Sequence, residues 1–504
     1  GQLFFSRRLE DVSVETLSQG WRMVACVCIA LLAMPLCFSA GILAVPVIRS
    51  DLGGGAMELA WITNGYILMV SCTMLAAGTF ADGVGRKKTF LVGLVGFTVI
   101  SALLACAQSA IALSVLRTIQ GPFGAALLAA GSAMLASSFR AEAKKKALSW
   151  IGTSFGVGLA LGPPVSGLLI DALGWRSIFF LSALLGLVAL VIGRGALKES
   201  KDPESKRIDW GGILTICASL ILMTWAVLQA PATGWTSIST LGFLTGSVVC
   251  LVIFVRGQRR QVRPVLDLSL FRYPAFLAVQ ALPLATTCCY VVLLLILPIR
   301  LVAIEEVSPA GTGLIMFSLS LPLMIFPTIA VRLARHFSPA TISGFGLMIA
   351  SIGLVLLSLR QSGDMSGLII SLLIIGTGTG LPWGLMDALS VSVVPSSRAG
   401  MASGVFNTIR LASESVGLAL AGSVLALLIG FQLPSLGTAA FELAQGNIGE
   451  VATTGQLSHS LVYCAYVSAF ETLMQGLAAI TAVFAVLIMV FLGRPHAEVN
   501  CSTT

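Results

Sequence analysis

Four ionisable side chains stand inside stretches that are otherwise apolar: Arg117, Asp387, Arg410 and Glu414. A charge within a membrane-spanning segment is costly, and it marks an ion path, a relay or a paired site. Arg410 and Glu414 are four residues apart, so one helix face carries both and lets them pair. Asp387 follows the run Gly376-Thr377-Gly378-Thr379-Gly380-Leu381-Pro382-Trp383-Gly384, which should loosen or kink its helix. A carboxylate shielded from water holds its proton more readily, and a guanidinium beside it favours release. Asp387 and Glu414, with Arg410 and Arg117, therefore read as a proton-coupling set. The plainer readings are a structural ion pair for Arg410 and Glu414, and a solvent-facing helix end for Asp387.

Three further groups carry spacing of interest. Gly78, Asp82, Gly85 and Arg86 fall in Gly78-Thr79-Phe80-Ala81-Asp82-Gly83-Val84-Gly85-Arg86-Lys87-Lys88, a tight turn with opposite charges at the membrane edge. Its plain reading is a charged turn; its functional reading is a gating loop. Gly158, Gly162, Pro163 and Gly167 belong to a small-residue stretch in which helices can pack closely and Pro163-Pro164 should bend the chain. Trp61, Tyr66, Phe155 and Trp383 are aromatics suited to an apolar substrate cavity. Taken singly, each serves equally as packing or as a lipid contact.

The elements that must position these residues follow from composition. Of 504 residues, 57% are hydrophobic and only 10% charged, against about 25% charged in a soluble domain. That excludes an ordinary soluble enzyme. Fourteen apolar runs, the first at 22–47 and the last at 470–492, each have the roughly 20 residues a spanning helix needs. The first run is too long for a cleaved signal peptide and follows a polar stretch, 1–21. With the N-terminus inside, 24 of the 30 Lys and Arg fall in inner segments and four, Arg49, Arg176, Arg300 and Arg360, in outer ones. This asymmetry orients the chain with both ends cytoplasmic and accounts for the basic balance without nucleic acid. The expected organisation is a cytoplasmic tail (1–21), a six-helix bundle (22–196), linkers with two extra helices at 213–229 and 237–255 (197–275), a second six-helix bundle (276–492) and a tail (493–504). The fold class is thus an all-α polytopic membrane protein with fourteen transmembrane helices. The one long outer loop, 432–469, reads as polar and too short for a catalytic domain.

The motifs together resemble a known family. The loop from Gly78 to Lys88 is similar to the Asp- and Gly-containing loop between spans two and three of the major facilitator superfamily. Arg117-Thr118-Ile119-Gln120-Gly121 resembles its span-four motif. Gly158-Leu159-Ala160-Leu161-Gly162-Pro163-Pro164-Val165-Ser166-Gly167 resembles the span-five motif of its antiporters, with Ser166 in place of a glycine. Trp61 and Tyr66, Asp209-Trp210-Gly211-Gly212, Arg263-Pro264-Val265-Leu266-Asp267-Leu268, and Gly400 to Asn407 ahead of Arg410 extend the likeness over the whole chain. The resemblance is to the fourteen-span drug:proton antiporter branch (EmrB/QacA-like). It implies an inner-membrane secondary transporter working by alternating access, a proton-coupled exporter of hydrophobic or cationic compounds. It leaves a periplasmic adaptor protein open as a partner beside the small-molecule substrate, protons and the bilayer.

One departure bears on mechanism. The branch usually carries an Asp in span one, where this chain has Cys37. That loss gives weight to an alternative, a dedicated exporter of one metabolite such as a siderophore or biosynthetic product. No enzyme is expected, since no loop brings together a nucleophile, a base and an orienting group. No cofactor or metal is expected either. The sequence has no GxxxxGK[ST] loop, its 11 Cys form no CxxC pair, and its three His lie far apart.

Overall fold

The computed structural model describes residues 2–139, 141–201, 209–261, 268–394, 399–448 and 458–492. The tail at 493–504, the linker charges Lys206 and Arg207, and the motif residues Arg263 to Asp267 lie outside them. Every regular element among the described residues is helical, as lipid demands of a chain that must satisfy its own backbone groups. Fourteen helices are long and apolar enough to cross a membrane. They are α1 (Gly20–Leu52), α2 (Ala56–Gly83), α3 (Arg86–Ala105), α4 (Ala110–Ser138), α5 (Ala147–Leu173), α6 (Arg176–Gly193), α7 (Trp210–Thr233), α8 (Ile238–Arg260), α9 (Pro274–Ile304), α10 (Pro309–Leu333), α11 (Pro339–Ser358), α12 (Met365–Ser390), α13 (Gly404–Gln432) and α14 (His459–Leu492).

Local chemistry sets several helix starts. The side chains of Ser109, Asp209, Ser237, Ser308, Ser338 and Asp364 each accept a backbone N–H of the first turn. Proline opens α9, α10 and α11, where its missing N–H costs nothing. Inside the helices, α10 is interrupted at Leu321-Pro322 and α9 carries two wide turns at Thr287–Val291 and Arg300–Ile304. The glycine-rich run of α12 ends in a break at Gly384-Leu385, after which Met386–Ser392 continues as a separate short helix. The kink expected there is present.

Helices α1 to α6 pack on one another, and α9 to α14 do likewise. The two bundles meet along α5 and α10 on one side. On another side the inserted helix α7 bridges them. It packs on α2, where the Cys217 thiol donates to the Cys72 carbonyl at 3.1 Å, and on α13, where the Ser423 hydroxyl donates to the Val227 carbonyl at 2.6 Å. Its partner α8 leaves most of its apolar surface outward.

The 432–469 stretch departs from the polar loop expected of it. Pro434–Leu436 forms one turn and Ala439–Ala444 a short helix, and Leu436, Phe441, Leu443 and Ala444 are buried in the main core. These four residues pack over the helix ends on the face opposite the Arg86-Lys87-Lys88 loop.

Candidate functional site

Helices α12 and α13 bring four of the expected residues to one place. The Arg410 guanidinium lies over the Trp383 ring, 4.7 Å from its centroid. Its Nε stands 3.5 Å from Glu414 Oε1, and its Nη1 4.0 Å from Asp387 Oδ1. The one-turn spacing of Arg410 and Glu414 produces the pair as expected. The break after Trp383 re-aims the chain, so that Asp387 reaches the same guanidinium from the next helix. Exposure separates the two acids: the Glu414 side chain is 14% exposed and that of Asp387 64%. Asp387 is therefore the open member of the group and Glu414 the shielded one. Behind Trp383, the buried Tyr290 ring makes an edge contact at 5.7 Å, and its hydroxyl is 3.1 Å from that of Ser320.

Arg117 is elsewhere. Its side chain is wholly buried in the first bundle. Nε donates to the Ile62 carbonyl at 3.1 Å, and Nη1 to Gln120 Oε1 at 2.7 Å and to Cys37 Sγ at 3.4 Å. The guanidinium lies 4.3 Å above the Tyr66 ring, and Gln120 continues the network to the Ser101 hydroxyl at 2.9 Å. Arg117, grouped with Asp387, Arg410 and Glu414 in the expected coupling set, is not brought to them, since all these partners belong to α1, α2, α3 and α4. No carboxylate pairs with it among the described residues. Gly41 is required for the close fit: a Cβ there would come within 2.9 Å of Arg117 Nη2.

The Gly78 to Lys88 loop forms the expected charge contact, with Arg86 Nη2 and Nε 3.1 and 3.3 Å from Asp82 Oδ1. Gly78 faces open space, whereas Gly85 has φ +135°, a conformation that favours glycine. The Glu199 carboxylate sits where a Gly85 side chain would project and accepts the Lys87 and Lys88 N–H groups at 3.1 and 3.3 Å. An acid thus caps the N-terminus of α3, where the helix dipole favours it. Sequence reading missed Glu199 because a contact spanning more than a hundred residues leaves no local pattern.

The α5 small residues serve two contacts. Gly158 and Gly162 let α5 approach Leu32 and Ser39 of α1. Gly167 abuts the Pro309 carbonyl while Gly313 abuts that of Pro163, so backbone meets backbone between the two bundles. Phe155 is half-buried on α5. Trp61 donates to Thr118 Oγ1 at 3.0 Å and stacks edge-on with Trp225 of α7 at 5.3 Å. Tyr66 lies under Arg117 and Trp383 under Arg410, so two of the four expected cavity aromatics support guanidinium groups.

On the face opposite the basic loops, all four arginines assigned outside are ion-paired. Arg49 pairs with Glu442, Arg176 with Asp51 at 2.9 Å, and Arg300 and Arg360 with the single carboxylate of Glu305 at 2.8 and 2.6 Å. Glu442 also accepts the Ala56 N–H at 2.9 Å, and Asp171 accepts that of Ala310 at 3.0 Å, which tie one bundle to the other. Toward the basic loops, Gly152 and Gly156 of α5 and Gly404 of α13 face open space.

A family profile described as Major Facilitator Superfamily matches residues 27–418. The chain belongs to the major facilitator superfamily. Among curated relatives of this superfamily member, the tetracenomycin C resistance and export protein of Streptomyces glaucescens is 28% identical over 82% of this chain and 77% of its own. Multidrug resistance protein Stp of Mycobacterium tuberculosis is 30% identical over 76% and 72%. Multidrug efflux pump LfrA of Mycolicibacterium smegmatis is 28% identical over 82% of each. Among solved structures, a POT family transporter in complex with 5-aminolevulinic acid superposes with a TM-score of 0.64 at 13% identity, over 94% of this chain and 95% of that one. The family match and the fourteen apolar helices make this a multi-pass membrane protein of the transporter type, and the solved structure shares its fold.

Proposed function

We propose that this protein is a proton-coupled exporter of hydrophobic and cationic compounds, lodged in the inner membrane with both ends cytoplasmic. The names of its relatives support drug export. The observation that carries the coupling is the Arg410 guanidinium over Trp383, between shielded Glu414 and exposed Asp387. In this reading Glu414 takes and yields the proton, Arg410 stabilises its ionised form, and Asp387 passes protons to and from solvent. Arg117 positions α1, α2 and α4 around a fixed charge. The Asp82–Arg86 loop, braced by Glu199, and the α5 glycines form the hinge surfaces on which residues 22–196 rock against 276–492. The tied outer ends and the open space near Gly152, Gly156 and Gly404 fit a state open to the cytoplasm. Cys37 in place of an acid favours one second reading, a dedicated exporter of a single metabolite.

The test is efflux of a lipophilic cationic dye from proteoliposomes under an imposed pH gradient. Gradient-driven movement abolished by a protonophore is expected. No dye movement under any gradient overturns the multidrug reading and leaves the dedicated exporter.

A further inference from the structure

Helix α7 is held to α2 at both ends. At the inner end the Phe80 and Trp210 rings meet edge-on at 5.6 Å, and at the outer end Trp61 and Trp225 do so at 5.3 Å. Between these contacts lie two cysteines. The Cys217 thiol donates to the Cys72 carbonyl at 3.1 Å, and the Cys72 thiol to the Cys217 carbonyl at 3.9 Å. The two thiols also interact directly with each other. Both are free.

This arrangement separates the pair from the other described cysteines. Cys26 and Cys28 are two apart on α1, and Cys288 and Cys289 are adjacent on α9, spacings at which helical side chains do not face each other. Cys37 is engaged by Arg117 and Gln120. The proposed proton path uses neither Cys72 nor Cys217. No charged group acts on either thiol. Cys72 is 1% exposed and Cys217 half-buried, and Leu214, one turn before Cys217, is 62% exposed on the outside of α7. The pair is thus reached from the lipid side through Cys217. A charged ligand would be costly to bring there. A ligand suited to the pair is uncharged, dissolves in hydrocarbon, bonds sulfur strongly and takes two sulfurs at once.

We infer that Cys72 and Cys217 form a two-thiol site for trivalent aryl arsenic compounds. The reaction needs no oxidant. An aryl arsenic(III) oxide forms two As–S bonds, its As–O bond breaks, and both thiol protons leave with the oxygen as one water. Arsenic stays trivalent and the product is neutral, which suits apolar surroundings. The aromatic contacts already hold α2 against α7, so the second As–S bond forms without the cost of bringing the helices together. The bridge ties the inserted hairpin covalently to the first bundle. Binding depends on neither proton coupling nor export.

Phenylarsine oxide is the probe. The parent in proteoliposomes is exposed to it, washed with a monothiol, digested and mapped by mass spectrometry. Peptides containing Cys72 and Cys217 should be recovered joined through one arsenic. Mercaptoethanol should leave that arsenic in place, whereas ethanedithiol, itself a two-point ligand, should remove it. Cys72→Ala and Cys217→Ala should each lower retention about 100-fold, the gain from a second attachment. Arsenic held by Cys217 alone and released by the monothiol overturns the two-thiol site. Arsenic recovered chiefly on Cys26, Cys28, Cys288 or Cys289 overturns the choice of pair. Both of these results are read from the parent, so a variant that fails to fold leaves the test intact.

Discussion

Arg117 and Arg410 occupy comparable settings in the two bundles and are neutralised differently. Each guanidinium lies over an aromatic ring, Tyr66 at 4.3 Å and Trp383 at 4.7 Å. Arg410 has two carboxylates within 4.0 Å. Arg117 has a carbonyl, an amide oxygen and the Cys37 thiol instead, and it is more deeply buried. An arginine keeps its charge under all ordinary conditions. The first bundle therefore holds a fixed charge in a polar cradle, while the second holds a charge whose partners can gain or lose protons. In the proposed coupling scheme this difference separates scaffold from switch within one molecule, and substitutions at each site can break or sharpen it.

The largest effect is expected at Glu414. Glu414→Gln preserves shape and removes the shielded acid, so gradient-driven flux should fall about 100-fold or more, within the range for loss of a positioned proton-transfer group. Retained flux would return Glu414 to a structural ion pair. Next in size is a contrast in stability. Arg410→Met strands a shielded acid and should destabilise the protein by about 3–5 kcal/mol, whereas Arg117→Met removes a charge that has no ionised partner and should cost less. Thermal unfolding of the two variants in one detergent measures the difference, and equal losses would contradict it. Asp387→Asn should lower flux only a few-fold, because an exposed pair at 4.0 Å contributes little. Cys37→Ala should change flux the least, to about half or more of the parent, since Arg117 keeps its Ile62 and Gln120 bonds at a net value of about 1 kcal/mol each. A collapse of flux in Cys37→Ala would place a proton in the first bundle and erase the contrast.

Much of this architecture is legible in the sequence, for physical reasons. A spanning helix must be apolar over some twenty residues, so its presence is written locally, and the Arg410–Glu414 pair follows from helical spacing alone. The break beyond Gly384 follows from its glycines and Pro382. What sequence does not carry is the side on which distant helices meet. Arg117 shares its charged, intramembrane character with the residues of α12 and α13, yet its partners lie on α1, α2 and α4. Glu199 and Glu442 carry no local sequence signal because their bonds join segments more than a hundred residues apart. The buried 434–448 segment was hidden by polar neighbours, although Ala439-Ala440-Phe441-Glu442-Leu443-Ala444 is an apolar patch with one acid.

The most direct test of the contrast compares three proteins in one assay: parent, Glu414→Gln and Cys37→Ala, each reconstituted at equal density and driven by the same pH gradient. The account predicts gradient-driven dye flux in the parent and in Cys37→Ala, and none above background in Glu414→Gln. Flux that survives in Glu414→Gln and disappears in Cys37→Ala would contradict it and move the proton switch to the first bundle.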